Sequence, residues 1–399
     1  MHILMIAPQP FFEARGTPFS EFHRIRALLD LGHTVDLVTY PFGHDVTLPG
    51  LRIFRCARPP FIRKVRIGPS LAKIPLDLSL AATVWRRASA ERYDAVHSHE
   101  EGGLIGIAVA ARLGVPHLYD MHSSLPQQLT NFDFSRSRLL HRLVSWGERA
   151  MVRRSRVVIV ICPQLEDVVR AIAPDASPIL IENAPGSGDA PIPGAGDAVR
   201  AQFGLDAATP VVLYTGTFES YQGLDLLFAA AGHVKVSAPE VRFLLAGGTP
   251  EQVEAARRQV AAAGIADVIH FAGQRPAEEI PAYLDAATVL VSPRSTGTNT
   301  PLKIYQYLRS GRAIVATRLL THTQVLDDDV AVLTEPTPEA FARGIVATVR
   351  DPERARAIGQ RARALAEAKY SYDAYLGKTR LACSRLADGT SPQLAGGVA

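Results

Sequence analysis

The chain has 399 residues, 47% of them apolar and 21% charged, and a net charge of +4. Those fractions are ordinary for a globular protein, and a chain of this length buries at least one large core and usually makes two domains. No apolar run approaches the length needed to span a bilayer, and no aromatic-basic module for nucleic acid appears.

Charge and cysteine usage narrow the setting. Residues 1–184 hold 22 Lys and Arg against 17 Asp and Glu, whereas residues 185–399 hold 21 against 22. Much of the basic excess lies in 58–87, where Arg58, Arg63, Lys64, Arg66, Lys73, Arg86 and Arg87 face only Asp77. Phe61, Ile62, Leu71, Ile74 and Trp85 interleave with them. Such a segment can lie on an anionic bilayer; the plainer reading is a solvated loop and helix face. Cys56, Cys162 and Cys383 are widely spaced and odd in number, which predicts a reducing compartment without a disulfide framework. The opening MHILMIAP lacks a basic region and a cleavage site, so it reads as a first core strand. The expected location is cytoplasmic, with the inner face of the membrane as the peripheral alternative.

In chain order, the first half alternates strands and helices. Ile3–Ala7 is a strand, 8–17 a loop, and Pro18–Leu31 a helix that Gly32 ends. Strands follow at His33–Tyr40 and Leu51–Cys56, then a helical region over 70–91 and a strand at Ala95–His99. Leu104–Leu113 is a helix, His117–Met121 a strand, Ser137–Arg153 a long helix and Val157–Ile161 a strand. Leu165–Ile172 is a helix and Ile179–Ile181 a short strand. This rhythm predicts a parallel sheet with right-handed crossovers, as one domain over 1–184. Residues 185–198 are rich in Gly, Pro and Ala and read as a linker. The pattern restarts over 199–369: strand Val211–Thr215, helix Leu224–Val234, strand Val241–Ala246, helix Pro250–Ala263, strand Val268–Phe271, helix Ile280–Ala286. Pro352 to about Leu386 reads as helical, and its last part, 370–386, is a candidate to pack back on the first domain. The tail from Ala387 reads as disordered. The predicted class is α/β: two doubly wound Rossmann-like domains facing a central cleft, with ligands at the carboxyl ends of the strands.

The most informative stretch is 291–317. Strand Val289–Val291 runs into a turn containing Arg294, Gly297, Thr298, Asn299 and Thr300. A helix starts near Pro301 with Lys303 and Gln306 in its first turns, and Gly311 ends it before strand Ala313–Ala316. Backbone N–H groups, the helix dipole and Lys303 would face one anion. The alternative is an ordinary β-loop-α unit with a solvated lysine. Gly216 and Thr217, in YTGTFESYQG, offer backbone amides to a phosphate in the same way, with Glu219 in that loop; Arg275 follows another strand end. In the first domain Gly16 and Thr17 lie where a ligand can approach the backbone, or where a turn simply needs a glycine. In HSHEEG (97–102), His97 and His99 share a strand face. They suggest a substrate-contacting edge with Glu100; a metal site has no supporting ligand pattern. His122 and Ser123 follow the next strand. His122 can bond a polar ligand or carry a proton, with Asp120 to orient it, or can be a structural histidine. The acids Asp327–Asp329 read as a solvated turn.

Taken in order, the loop to Gly16, VHSHEEG, the His-Ser pair at 122–123, LYTGTFESYQGLDLL, FAGQ and NTPLKIYQYLRSGRAIVAT resemble the retaining glycosyltransferases of family 4. The likeness spans nearly the whole chain and implies the GT-B fold. It also implies transfer from a nucleotide-sugar donor to a glycan or lipid-linked acceptor, with no metal or other cofactor. Together with the strand-end readings above, it gives the expected donor contacts Gly16, Gly216, Thr217, Arg275, Arg294, Gly297, Thr298, Asn299, Thr300, Lys303 and Gln306. His122 takes the catalytic place, and Thr17, His99, Glu100 and Ser123 the acceptor side. Two departures stand out. The family's diphosphate-gripping Arg and Lys are Thr217 and Gln222 here, and its two glutamates are Thr298 and Gln306. Each lost charge-assisted bond is worth about 1.5–3 kcal/mol, so Arg294 and Lys303 are expected to carry the phosphate instead. A non-catalytic GT-B binding protein and a nucleotide-sugar epimerase of the same fold are the alternative readings.

Overall fold

The computed structural model describes residues 1–12, 16–63, 65, 70–131, 137–182 and 192–388. The chain divides into two units, 1–183 with 375–399, and 184–374.

The first unit is built on a parallel sheet of β1 (His2–Ala7), β2 (Thr34–Thr39), β3 (Leu51–Arg55), β4 (Ala95–His99), β5 (His117–Met121), β6 (Val157–Val160) and β7 (Ile179–Leu180), in the order β3-β2-β1-β4-β5-β6-β7. Its helices are α1 (Gly16–Asp30), α2 (Lys73–Ala90), α3 (Gly102–Leu113), α4 (Leu125–Asn131), α5 (Arg138–Arg154) and α6 (Pro163–Ile172). The central strands are apolar on both faces because helices cover both, as β1 with Leu4, Met5 and Ile6 all buried illustrates.

The second unit repeats the plan. Its helices begin with α7 (Gly196–Gln202), α8 (Leu224–Ser237), α9 (Pro250–Ala262) and α10 (Ile280–Ala286). They continue with α11 (Lys303–Ser310), α12 (Leu320–Thr323), α13 (Pro338–Arg350) and α14 (Pro352–Lys369). They cover a sheet of β8 (Val211–Thr215), β9 (Arg242–Ala246), β10 (Ile269–Gly273), β11 (Val289–Ser292), β12 (Ala313–Thr317) and β13 (Val332–Thr334), in the order β10-β9-β8-β11-β12-β13. A last helix, α15 (Tyr372–Ala387), belongs mostly to the first unit: Arg24 on α1 donates to Thr379 Oγ1 at 3.2 Å, and Cys383 joins the core with Ile25 and Leu28.

In each sheet the order reverses beside its first strand, between β1 and β4 and between β8 and β11. Loops leave a parallel sheet in opposite directions at such a point and open a crevice at the strand ends. The chemistry-bearing residues gather at these two points.

Four readings of the chain change. The helix expected from Pro301 begins at Lys303, after a tight turn in which Ile304 and Tyr305 donate to the Pro301 and Leu302 carbonyls. The single helix expected from Pro352 breaks at Tyr370–Ser371 into α14 and α15. The linker stretch 185–198 is entered by α7, whose Gly196 N–H donates to Asp285 Oδ2 at 3.0 Å; residues 185–191 lie outside the described residues. Helix α4 was not anticipated, because LPQQLTN is too short and polar to show a period. Of the basic stretch 58–87, residues 64 and 66–69 lie outside the described residues, as do residues 389–399 of the tail.

Candidate functional site

In the second unit, β8 and β11 aim two loops at one place. Gly216 ends β8 with φ 137°, and a Cβ there would come within 3.1 Å of Lys303 Nζ. Gly223 starts α8 with φ 75°, and a Cβ there would fall 2.0 Å from the Pro293 carbonyl oxygen. Only glycine allows this closeness of the two loops. Lys303, first in α11, is buried, and its Nζ sits 3.8 Å from the Tyr214 ring centroid with no hydrogen-bond partner. Tyr214 is fixed in turn by donating its hydroxyl to the Thr217 carbonyl at 2.7 Å. Burial, and then the Arg294 charge, pushes the Lys303 ammonium well below its ordinary pKa.

Arg294 lies over the Tyr221 ring at 5.1 Å and donates Nη1 to the Asn299 carbonyl at 2.6 Å, while its buried Nε has no partner. Burial lowers its pKa as well. Neither cation has a carboxylate among the described residues that perturb it. A buried ammonium beside a half-buried guanidinium, with no anion between them, is costly, and a bound anion relieves that cost. The loop carrying them is braced by His322, which bonds Ser292 Oγ at 2.8 Å and the Thr317 carbonyl at 2.7 Å, and by Gln324 Nε2 donating to the Thr298 carbonyl at 2.7 Å. Thr300 Oγ1 is buried without a partner, and Gly297 packs 3.5 Å from the Arg294 guanidinium by its Cβ direction.

Gln306 is half-buried one turn after Lys303, Thr217 is exposed, and Gln222 is buried with Oε1 unpartnered. Arg275 turns back to its own loop, donating to the Ala272 carbonyl at 2.9 and 2.7 Å. Glu219 accepts from Gln252 Nε2 at 3.2 Å. Asp327 caps its own turn by accepting from Asp329 N at 3.0 Å, and all three acids are exposed.

In the first unit, β4 and β5 pair His99 with Asp120 in register. The His97 and His99 rings stack at 4.8 Å, as their shared face implied. Asp120 is fully buried; Arg24 Nε donates to its Oδ2 at 2.9 Å, and His97 Nε2 and His122 Nε2 lie 3.4 and 3.5 Å from its oxygens. Burial raises the Asp120 carboxyl, but Arg24 and the facing histidines outweigh it and hold it well below the usual carboxylate range. Burial lowers His122, with Arg24 and His97 adding to the effect, and His99 is pushed lower still. His99 Nδ1 and His122 Nε2 share a hydrogen bond of 3.0 Å, so neutral imidazoles surround the anion. His97, His99 and Asp120 come close enough to resemble metal ligands. The Arg24 guanidinium already occupies the shared oxygen, and its charge opposes a divalent cation there.

Glu100 and Ser123 meet: Ser123 Oγ donates to Glu100 Oε2 at 2.9 Å. Glu100 adopts φ 48°, uncommon for a residue with a side chain and typical of functional strand ends. Burial, then Glu101, pushes its carboxyl up to about 8. Thr17 is half-buried in the first turn of α1, which Gly16 opens. Sequence reasoning missed Glu21 and Arg24. They lie three apart on α1 beside apolar Ile25 and Leu28, and polar residues inside an apolar helix face were the available signal. The Glu21 carboxylate is fully buried without a partner, and burial followed by Glu100 raises its pKa well above the ordinary value.

Comparisons with known proteins follow the same division. Residues 23–183 match the model of the glycosyl transferase 4-like domain, and residues 209–351 that of glycosyl transferases group 1. The chain is 30% identical over 308 residues to the 2-deoxystreptamine N-acetyl-D-glucosaminyltransferase of Streptomyces fradiae, spanning 72% of this chain and 70% of that one. The sucrose-phosphate synthase of Thermosynechococcus elongatus superposes with TM-score 0.79 at 22% identity, over 98% of this chain and 100% of that one. The Anabaena HepE protein in complex with UDP-glucose superposes with TM-score 0.73 at 17% identity, over 96% and 99%. The two Rossmann-like units are those of a GT-B glycosyltransferase. The chain belongs to family 4 of the glycosyltransferases, enzymes that move a sugar from a nucleotide-sugar donor without requiring a metal.

Proposed function

We propose that the chain transfers a hexosyl group, with retention, from a nucleoside-diphosphate sugar whose diphosphate is held by Lys303 and Arg294. The buried Lys303 ammonium without a hydrogen-bond partner, and the absence of any carboxylate among the described residues that perturb it or Arg294, carry this reading. Gly216, Thr217 and the turn Gly297–Thr300 supply backbone and hydroxyl contacts, and Gln306 accepts from a ribose hydroxyl. Arg275 is retained at the edge of this site, reached only if it leaves the Ala272 carbonyl.

The acceptor is a glycan or a lipid-linked glycan, received by Thr17, His99, Glu100 and Ser123. His122, neutral and oriented through Asp120 and His99, bonds the sugar. In front-face attack the acceptor oxygen bonds the anomeric carbon on the side the diphosphate leaves. The leaving phosphate oxygen takes the acceptor's proton, so no enzyme carboxylate forms a bond to the sugar. Lys303 and Arg294 stabilise the negative charge that grows on that oxygen. Residues 58–87 present exposed Phe61, Leu71, Ile74, Leu78 and Trp85 beside their basic residues, which supports an anionic membrane surface as partner. No helix among the described residues is long and apolar enough to cross a membrane.

Calorimetry against UDP-, ADP- and GDP-glucose tests the donor reading. One donor should bind, and Lys303→Ala should weaken it more than ~tenfold, the loss of one charge-assisted contact. If no nucleotide sugar binds, the donor reading fails; if the variant binds as tightly as the parent, the relocated clamp fails.

A further inference from the structure

Helix α5 carries an outward face that the transfer reaction does not use. Leu139, Leu143 and Trp146 recur at i, i+4 and i+7 and are 78%, 61% and 64% exposed. The opposite side, Gly147, Glu148, Met151 and Val152, is already buried against the unit, so the stripe is surplus to the core. Arg138, Arg142, Arg149, Arg153 and Arg154 are exposed along the same helix. Its one acid, Glu148, points inward, accepting from Leu125 N at 2.7 Å and Ser124 Oγ at 3.1 Å. The solvent side of α5 therefore carries apolar bulk and positive charge with no carboxylate of its own.

The face has neighbours of the same kind. From β3 through β4 and β5 to β6 the chain advances in one direction, so right-handed crossovers place α2, α3 and α5 on one side of the sheet. Helix α3 packs against both of the others. Its Leu104 is 41% exposed and lies 3.6 Å from the Cβ position of Gly147 on α5. On α2, Ile74, Leu78 and Trp85 form a second exposed stripe. Both tryptophans of the chain, Trp85 and Trp146, thus sit on outward apolar stripes of one helix layer.

We propose that α5 is an interfacial helix that rests the first unit on an anionic lipid bilayer. Leu139, Leu143 and Trp146 enter the acyl boundary, and Arg138, Arg142 and Arg149 meet phosphate headgroups. Charge complementarity selects this occupant: an apolar stripe with tryptophan, flanked by arginines and no acid, matches an anionic interface. The proposal deepens the membrane reading of 58–87 but stands on a different helix.

The full chain carrying Trp85→Phe keeps Trp146 as its one tryptophan, excited selectively at the red edge of its absorption, and Trp146→Phe keeps Trp85. Each is mixed with vesicles of phosphatidylcholine alone or with phosphatidylglycerol added. The Trp146 emission should shift to the blue and be quenched by brominated acyl chains only when phosphatidylglycerol is present. Salt at about 0.5 M should weaken the effect, because the Debye length falls to a few ångströms. Arg142→Glu with Arg149→Glu should lower vesicle affinity more than ~tenfold, each charge near the surface counting about fivefold. Circular dichroism and donor calorimetry check that this variant is folded, independently of the vesicle result. The proposal is overturned if Trp146 stays unshifted while Trp85 responds, if charge reversal leaves affinity unchanged, or if no protein binds phosphatidylglycerol vesicles. A Trp146 emission already blue in buffer, with a dimer in the ultracentrifuge, would also overturn it by assigning the stripe to a second copy.

Discussion

Lys303 is a lysine held where its charged form is disfavoured, with a ring beneath it and a second cation beside it. The depressed pKa disfavours the charged form in the free protein. A diphosphate placed at Nζ reverses that balance, since an anion within reach favours the ammonium. Donor binding is therefore expected to take up a proton. Calorimetry in buffers of different ionisation enthalpy should give a positive proton number. Affinity should rise as pH falls through the free-state pKa and level off below it. A heat of binding that is the same in every buffer would show Lys303 already charged. Thr217 and Gln222, neutral at the positions where the resemblance expects cations, fit the proposed clamp, in which Lys303 and Arg294 after β11 carry the positive charge.

Helices and loops place these side chains by close backbone approach. Gly223 starts α8 in the left-handed region and leaves no room for a Cβ beside Pro293. Gly223→Ala is expected to cost about 2 kcal/mol or more, combining backbone strain with the contact, and to weaken donor binding by parting the two loops. Gly264, also left-handed at φ 68° but with open space around its Cβ position, is the control. Gly264→Ala should cost only about 1 kcal/mol and leave donor affinity alone. Denaturant midpoints and donor calorimetry on both variants read the difference. Equal donor affinity in the two would separate the loop junction from the site.

Stability of the molecule with pH depends on carboxyls buried at the ends of β4 and β5. Glu100 titrates near 8 in the folded chain, against about 4.5 unfolded. Its contribution is fully present below the unfolded value and is lost as pH rises towards 8, by an amount on the order of a few kcal/mol. Asp120, depressed by Arg24, acts in the opposite direction, and its contribution disappears only in strong acid. Glu100→Gln removes the first titration while keeping a partner for Ser123. The melting temperature of the variant relative to the parent should rise between about pH 5 and pH 8; a constant difference would mean that Glu100 does not titrate there.

Much of this was legible in the chain itself. The alternation of apolar strands with amphipathic helices determined two parallel sheets, because a strand covered on both faces must be apolar throughout. The strand ends then located Gly216, Lys303, His99 and His122, since ligands of such sheets gather at those ends. Glycines marked the turns, and Gly311 ended α11 where a left-handed residue was needed. Other features depended on partners distant in sequence. Arg24 meets Asp120 across 96 residues and Thr379 across 355, and no local period encodes such a pair. Whether Lys303 is solvated or buried over a ring is decided by the packing of β8 beside β11. Whether the apolar residues of α5 face the core or the solvent was likewise open, because a helix with two apolar faces shows one period from either side. Sequence fixes which residues are apolar, charged or permissive at each position; only tertiary packing decides which of those charges are left without a partner.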